Sequence, residues 1–108
     1  MESTAKNTFV AWESKQKNLR GYMYNSFGGN PGFSDRLGYI EAKPWPVPYL
    51  IEFKNPDDVR TGLSPKQIVF KRNMQFLGVP ILSPCHEAER AINFVKKLIK
   101  ETEQYVTE

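Results

Sequence analysis

The stretch from Tyr49 to Leu82 constrains this chain more than any other. It reads as an apolar strand, Tyr49-Leu50-Ile51-Glu52-Phe53-Lys54, then a polar loop from Asn55 to Gly62, then a helix with both ends marked, then a second apolar run, Val79-Pro80-Ile81-Leu82. The helix opens on Ser64-Pro65-Lys66-Gln67. That places serine at the N-cap, proline at the first helical position and glutamine at the third, a capping-box arrangement. Ile68, Val69, Phe70, Met74 and Leu77 supply an apolar face, and Gly78 ends the helix. A helix of this length can carry the chain across to a parallel strand, which a tight turn cannot do. The fold class expected is therefore α/β.

The remaining elements fit around this unit. Residues about 3–18 read as a helix, with Ala5, Phe9, Trp12 and Leu19 roughly on one side. Gly21-Tyr22-Met23-Tyr24-Asn25 reads as a short strand, ended by the breaker-rich loop Ser26-Phe27-Gly28-Gly29-Asn30-Pro31-Gly32. Residues about 34–41 read as a second strand, with Leu37 and Tyr39 on the face shared by Asp35. Pro44, Pro46 and Pro48 make a stiff connection and argue against a central ladder strand there. Ser83-Pro84 repeats the serine-proline helix start, so a last helix is expected from there to about residue 104, with Ala91, Phe94, Val95, Leu98 and Thr102 turned inward. The order is α-β-β-β-α-β-α. Three consecutive strands can form a meander, and the crossover adds a fourth, giving a mixed four-stranded sheet flanked by helices.

Composition bounds the function. A chain of 108 residues is one domain, residues 1–108, with no room for a second. The net charge of +3 permits a polyanion partner without demanding one. One cysteine, Cys85, excludes an internal disulfide and a cysteine-rich zinc site. One histidine, His86, excludes a multi-histidine metal site within one chain. No run of eighteen apolar residues is present, so no membrane span is expected. Met1-Glu2-Ser3-Thr4 lacks the basic start and apolar stretch of a signal peptide, so a reducing, cytoplasmic setting is expected.

Chemistry concentrates in Ile51-Glu52-Phe53-Lys54. Residues two apart on a strand share a face, so Glu52 and Lys54 point one way while Ile51 and Phe53 point into a core. A carboxylate beside an ammonium can bind a hard cation and steady a negative transition state. Asp35 lies before this strand and Gln67 after it. Each has a plainer rival. Glu52 and Lys54 make an equally good surface ion pair, worth about 0–1 kcal/mol. Gln67 serves equally well as a cap residue, and Glu2 as an acid at a helix start. His86 reads as a cap neighbour at the third position of the last helix, and Cys85 as a small buried residue at that helix start.

Gly32-Phe33-Ser34-Asp35-Arg36-Leu37, then Glu52-Phe53-Lys54, then Leu63-Ser64-Pro65-Lys66-Gln67, together resemble the virus-type replication-repair nuclease (VRR-NUC) domain, of the PD-(D/E)XK, restriction-endonuclease-like nucleases. The likeness runs from Glu2 to about Ile99, and its strength lies in three motifs in order. It implies Mg²⁺- or Mn²⁺-dependent hydrolysis of DNA phosphodiesters on a restriction-endonuclease-like core. It also implies a phage-type homodimer, and branched DNA such as Holliday junctions as substrate. By the same resemblance Asp35 and Glu52 would hold the metal, with the Phe53 main-chain carbonyl. Lys54 would orient the attacking water and meet charge on the phosphate. Gln67 would point into the site from the following helix. Glu2 would reach the metal through water, with Glu13 as a competitor. Ser34 stands where the family name has proline.

For DNA phosphates the candidates are Arg36, Lys43, Arg60, Lys66, Lys71 and Arg72. Phe27, Phe33 and Trp45 offer rings for stacking on bases or for packing. Two other classes of function stand beside the nuclease: a nuclease-fold module that binds DNA or protein without cutting, and a phage accessory interaction protein in which the acid-lysine triplet is coincidental.

Overall fold

The computed structural model describes residues 4–23, 35–42, 45–54 and 63–106. Its elements follow the expected order: α1 (Thr4–Ser14), β1 (Leu19–Met23), β2 (Arg36–Ile40), β3 (Val47–Phe53), α2 (Pro65–Leu77), β4 (Ile81–Cys85) and α3 (Ala88–Val106). The sheet runs β1-β2-β3-β4. The first three strands form an antiparallel meander, and β4 joins parallel to β3. The protein is α/β with a mixed four-stranded sheet, and α2 carries the crossover. Among the described residues no helix is long and apolar enough to cross a membrane.

The register divides the sheet into two chemically distinct faces. Leu19 sits opposite Ile40, Gly21 opposite Gly38 opposite Tyr49, and Arg36 opposite Ile51. These residues share one face, with Phe53, Leu82 and Cys85, and α1 and α3 cover it. Phe9 of α1 meets Phe53 and Trp12 with ring centroids 5.8 Å apart. Ala91 and Val95 of α3 close the core, with Phe94 and Leu98 packed against it. The alternate residues Arg20, Tyr22, Leu37, Tyr39, Leu50 and Glu52 take the opposite face.

A polar cluster lies inside the covered face. Glu13 of α1 is buried, and its carboxylate accepts from the Arg36 guanidinium and the Tyr49 hydroxyl. Burial pushes the Tyr49 phenol well above its ordinary value, and the bond to Glu13 pushes the same way. Two glycines make the room. A Cβ on Gly21 would collide with Glu13 and Arg36, and one on Gly38 with the Tyr49 ring.

Several expected boundaries move, each for a physical reason. Helix α1 stops at Ser14 because Lys15 and Gln16 close it with backbone bonds to the Trp12 and Glu13 carbonyls. Leu19 is thereby a core residue of β1 rather than of the helix. Strand β3 starts at Val47 and contains Pro48. It tolerates that proline because β4 pairs only from Leu50 onward, leaving one side of β3 without a strand at Pro48. Ser83-Pro84 lies within β4 rather than opening a helix, and its peptide bond is cis. The Cys85 carbonyl accepts the Lys54 amide at 2.9 Å, a bond to the end of β3, and the Ser83 carbonyl is taken by Lys71 Nζ of α2 at 2.6 Å. Helix α2 has the anticipated cap and an αL Gly78, yet none of its residues is buried, and Val69, Phe76 and Leu77 face outward.

Two ion pairs that look alike in sequence differ in burial, and that difference sets their worth. Glu13→Ala strands a buried guanidinium and is expected to cost about 3–5 kcal/mol in urea unfolding. Glu41→Ala breaks the half-exposed Arg20–Glu41 pair at 3.1 Å and is expected to cost no more than about 1 kcal/mol. Equal costs would contradict this assignment of the Glu13 cluster.

Candidate metal centre

Asp35 immediately precedes β2, and Arg36 sits against Ile51, so Asp35 and Glu52 are the next residues beyond the paired register. Both side chains then lie on the face that α1 and α3 leave uncovered. Asp35 lies near enough to Glu52 to raise its carboxyl. The second oxygen of Asp35, Oδ2, accepts the Phe53 amide at 3.1 Å. Glu52 is only 4% exposed, so it is not half of a solvated surface ion pair. Its carboxyl is pushed up to about 9, first by burial and then by the bond to Asp35 and the charge there; Lys54 and Lys6 pull it down. Burial next to another acid thus favours the protonated form of Glu52.

Lys54 directly follows β3, is half-buried, and pulls the Glu52 carboxyl down. Its backbone is clamped by the end of β4. The amide donates to the Cys85 carbonyl at 2.9 Å, and His86 Nδ1 lies 3.2 Å from the Lys54 carbonyl. A carbonyl only accepts, so Nδ1 carries the hydrogen in this contact. Phe53 faces the other way. In extended backbone a residue's N–H and C=O point to one side, and the Phe53 amide is on Asp35, so its carbonyl lies on the side of Asp35 as well.

Two carboxyls and a main-chain carbonyl are hard oxygen donors, the set that suits Mg²⁺ or Mn²⁺ with water completing the shell. Oxygen donors of this kind fit a hard cation, which Asp35, Glu52 and the Phe53 carbonyl would hold. Among the described residues no group of three or more acidic, histidine or cysteine side chains gathers at one point.

The other anticipated residues fall out as follows. Gln67 Oε1 accepts the Ser64 amide at 2.9 Å, and Ser64 Oγ accepts the Gln67 amide at 3.2 Å. The expectation that Gln67 points into the site is thus corrected: its side-chain oxygen closes the capping box. Arg36 as a phosphate contact is corrected too, because it is buried and paired with Glu13. Glu13 as a metal contact fails for the same reason, its carboxylate being taken by Arg36 and Tyr49 on the core face. Lys71 spends its ammonium on the Ser83 carbonyl. Lys66 and Arg72 are exposed on α2. Glu2, Lys43, Arg60, Phe27, Phe33 and Ser34 lie outside the described residues. Trp45 is exposed.

Sequence reasoning missed Lys6, whose charge reaches Glu52 from α1, and it missed the clamp on Lys54. Lys6 stands one helical turn before Phe9, which touches Phe53, so the helix period carried that signal. His86 is not on a helix at all; it precedes α3 and holds Lys54. Cys85 ends β4, buried, with its thiol pushed up mainly by burial and its Sγ donating to the Glu87 carbonyl at 3.2 Å, an unreactive setting. Comparisons with protein-family models, with curated proteins and with solved structures find no match.

The raised Glu52 carboxyl makes stability depend on pH. The unfolded chain titrates near 4.5 and the folded one at about 9. The folded state therefore binds the extra proton, and this contribution is full below 4.5 and lost as pH rises toward 9. In EDTA, wild-type protein is expected to lose thermal stability over that window, and Glu52→Gln to lose markedly less. Added Mg²⁺ should raise Tm more at the alkaline end, because cation and proton compete for the same oxygens. Parallel pH profiles for the two proteins would show that Glu52 does not hold this proton.

Proposed function

We propose that this chain is a divalent-metal-dependent nuclease that hydrolyses DNA phosphodiester bonds, on the plan of the VRR-NUC domain that its motifs resemble. One observation carries the reading. The buried Glu52 carboxyl is raised by neighbouring Asp35 and lowered by Lys54, so the three groups act on one another. A carboxyl pair held this way costs stability unless a cation joins it, so a purely structural account of the cluster is poor.

Each residue has a role that follows from its surroundings. Asp35 and Glu52 would hold the cation through their carboxyl oxygens, and Glu52 would lose its proton on binding. A bound Mg²⁺ or Mn²⁺ would supply Lewis acidity to the attacked phosphate and lower the pKa of a water molecule. The Phe53 amide fixes the Asp35 carboxylate, so the donor does not pay rotamer entropy on binding. Lys54 brings a compact positive charge on a backbone anchored by Cys85 and His86, suited to meeting charge that builds on the phosphate in the transition state. Exposed Lys66 and Arg72 are available for backbone phosphates. Branched DNA and a twofold dimer belong to this proposal through the resemblance; a dimer would present two centres to two strands.

The test uses supercoiled plasmid and a synthetic four-way junction, each with Mg²⁺, Mn²⁺ or EDTA. Nicking or junction cleavage with either metal and none in EDTA is expected. Lys54→Ala should lower the rate about 10²–10³-fold, and Asp35→Asn at least as much, with both variants folded by circular dichroism. Cleavage that persists in EDTA, or an undiminished rate in Asp35→Asn, contradicts the mechanism. No cleavage of either substrate with either metal leaves a DNA-binding module that does not cut.

A further inference from the structure

The sheet face opposite α1 and α3 carries a second feature beside the acids. Tyr22 of β1 and Tyr39 of β2 stack there, with ring centroids 6.4 Å apart and planes inclined by 25°. Tyr22 is 57% exposed, a large aromatic surface left in water. The register places Tyr22 opposite Leu37 and Arg20 opposite Tyr39. Tyr22 is therefore the diagonal neighbour of Tyr39 on one side and of Asp35 on the other, at about 7–8 Å for such pairs. Moving across the face, one passes from Glu52 to Asp35 to the two rings.

The two rings lie side by side, and Tyr22 raises the Tyr39 phenol above its ordinary value. The nearest cation is not spare. Arg20 spends its guanidinium on Glu41 and on the Lys17 and Leu19 carbonyls. The platform thus offers π faces and apolar area with no charge devoted to a phosphate. Nucleobase faces are what such a surface takes, and stacking is worth about 1–3 kcal/mol per base. In a duplex those faces are buried against neighbouring pairs, so only unpaired bases fit.

We propose that Tyr22 and Tyr39 form a stacking platform for unpaired nucleobases, which makes single-stranded or locally opened DNA the substrate class delivered to Asp35 and Glu52. The proposal rests on the nuclease reading and supplies a physical reason for a branched substrate, since a junction or flap exposes bases that a duplex hides.

Binding in EDTA tests it apart from cleavage. Fluorescence anisotropy is measured with a labelled single-stranded oligonucleotide and with its blunt duplex. Wild type should prefer the single strand. The Tyr22→Ala, Tyr39→Ala double variant should weaken single-strand binding about tenfold or more, while the Tyr→Phe double variant, which keeps both ring faces, should bind like wild type. Tyr→Leu at both positions, which keeps apolar bulk without a π face, should bind like the alanine variant. Equal binding of single strand and duplex, unchanged binding by the alanine variant, or no binding of either DNA by wild type overturns the platform. Single-strand binding that depends on the rings, in a protein that cuts no DNA with Mg²⁺ or Mn²⁺, supports the platform and sinks the nuclease reading alone.

Discussion

The interaction on which the rest depends is the buried bond of Glu13 to Arg36 and Tyr49. It joins α1, β2 and β3 at one point inside the core. A strand can slip by one residue only by turning every side chain to the other face. Here such a slip would move a guanidinium away from its carboxylate within a buried space, a loss far larger than any single apolar contact. The network thus locks β2 against β3 at the step Arg36–Ile51. Asp35 and Glu52 are the residues just beyond that last paired step. The geometry of the candidate metal centre is set from the opposite side of the sheet, by residues that never touch it. Gly21 and Gly38 belong to the same device, since a methyl group at either would occupy the space of the network.

The two faces of the sheet use the same residue type to opposite ends. Glu13 and Glu52 are buried to a similar degree, 2% and 4% exposed. Glu13 is answered within the chain by a guanidinium and a hydroxyl. Glu52 is met first by another acid, with its ammonium partners Lys54 and Lys6 too weak to offset burial. A buried polar group whose partners are complete stabilises a fold; one whose partners are incomplete holds open a place for something else. The first description fits Glu13 and the second fits the acid pair. Position along the strand makes the difference: Arg36 and Asp35 are adjacent in sequence and point to opposite sides.

Much of this was legible in the sequence. Element order, the α2 cap, the inward residues of α3 and the shared face of Glu52 and Lys54 all follow from period and cap chemistry, which are local properties. What was not legible depended on partners distant in the chain. Ser83-Pro84 carries a helix-start signature, yet Lys71 and Lys54 draw it into the sheet, and neither is near it in sequence. Arg36 looks like a phosphate contact beside an active-site acid until Glu13 arrives from α1. Gln67 satisfied two readings equally, and only the observed bond to the Ser64 amide separates them. The apolar residues of α2 give a helix period but do not say whether anything covers them, and Val69, Phe76 and Leu77 remain exposed.

The aromatic pair and the acid pair argue for each other through the topology. Both sit on the meander of β1, β2 and β3, whose other face takes α1 and α3, while α2 lies against β4 at the far side of the sheet. Leu37 and Leu50 lie between them; Leu50 is buried, so the exposed ring of Tyr22 is the apolar area this face offers. On the proposed reading, an opened nucleic-acid strand would meet the rings on β1 and β2 and, beyond them, the two acids with a cation on one phosphate. A small anion would use only the acid end, and a duplex would present its charged backbone to the rings. In that reading the order of the strands, more than any single residue, sets the ligand.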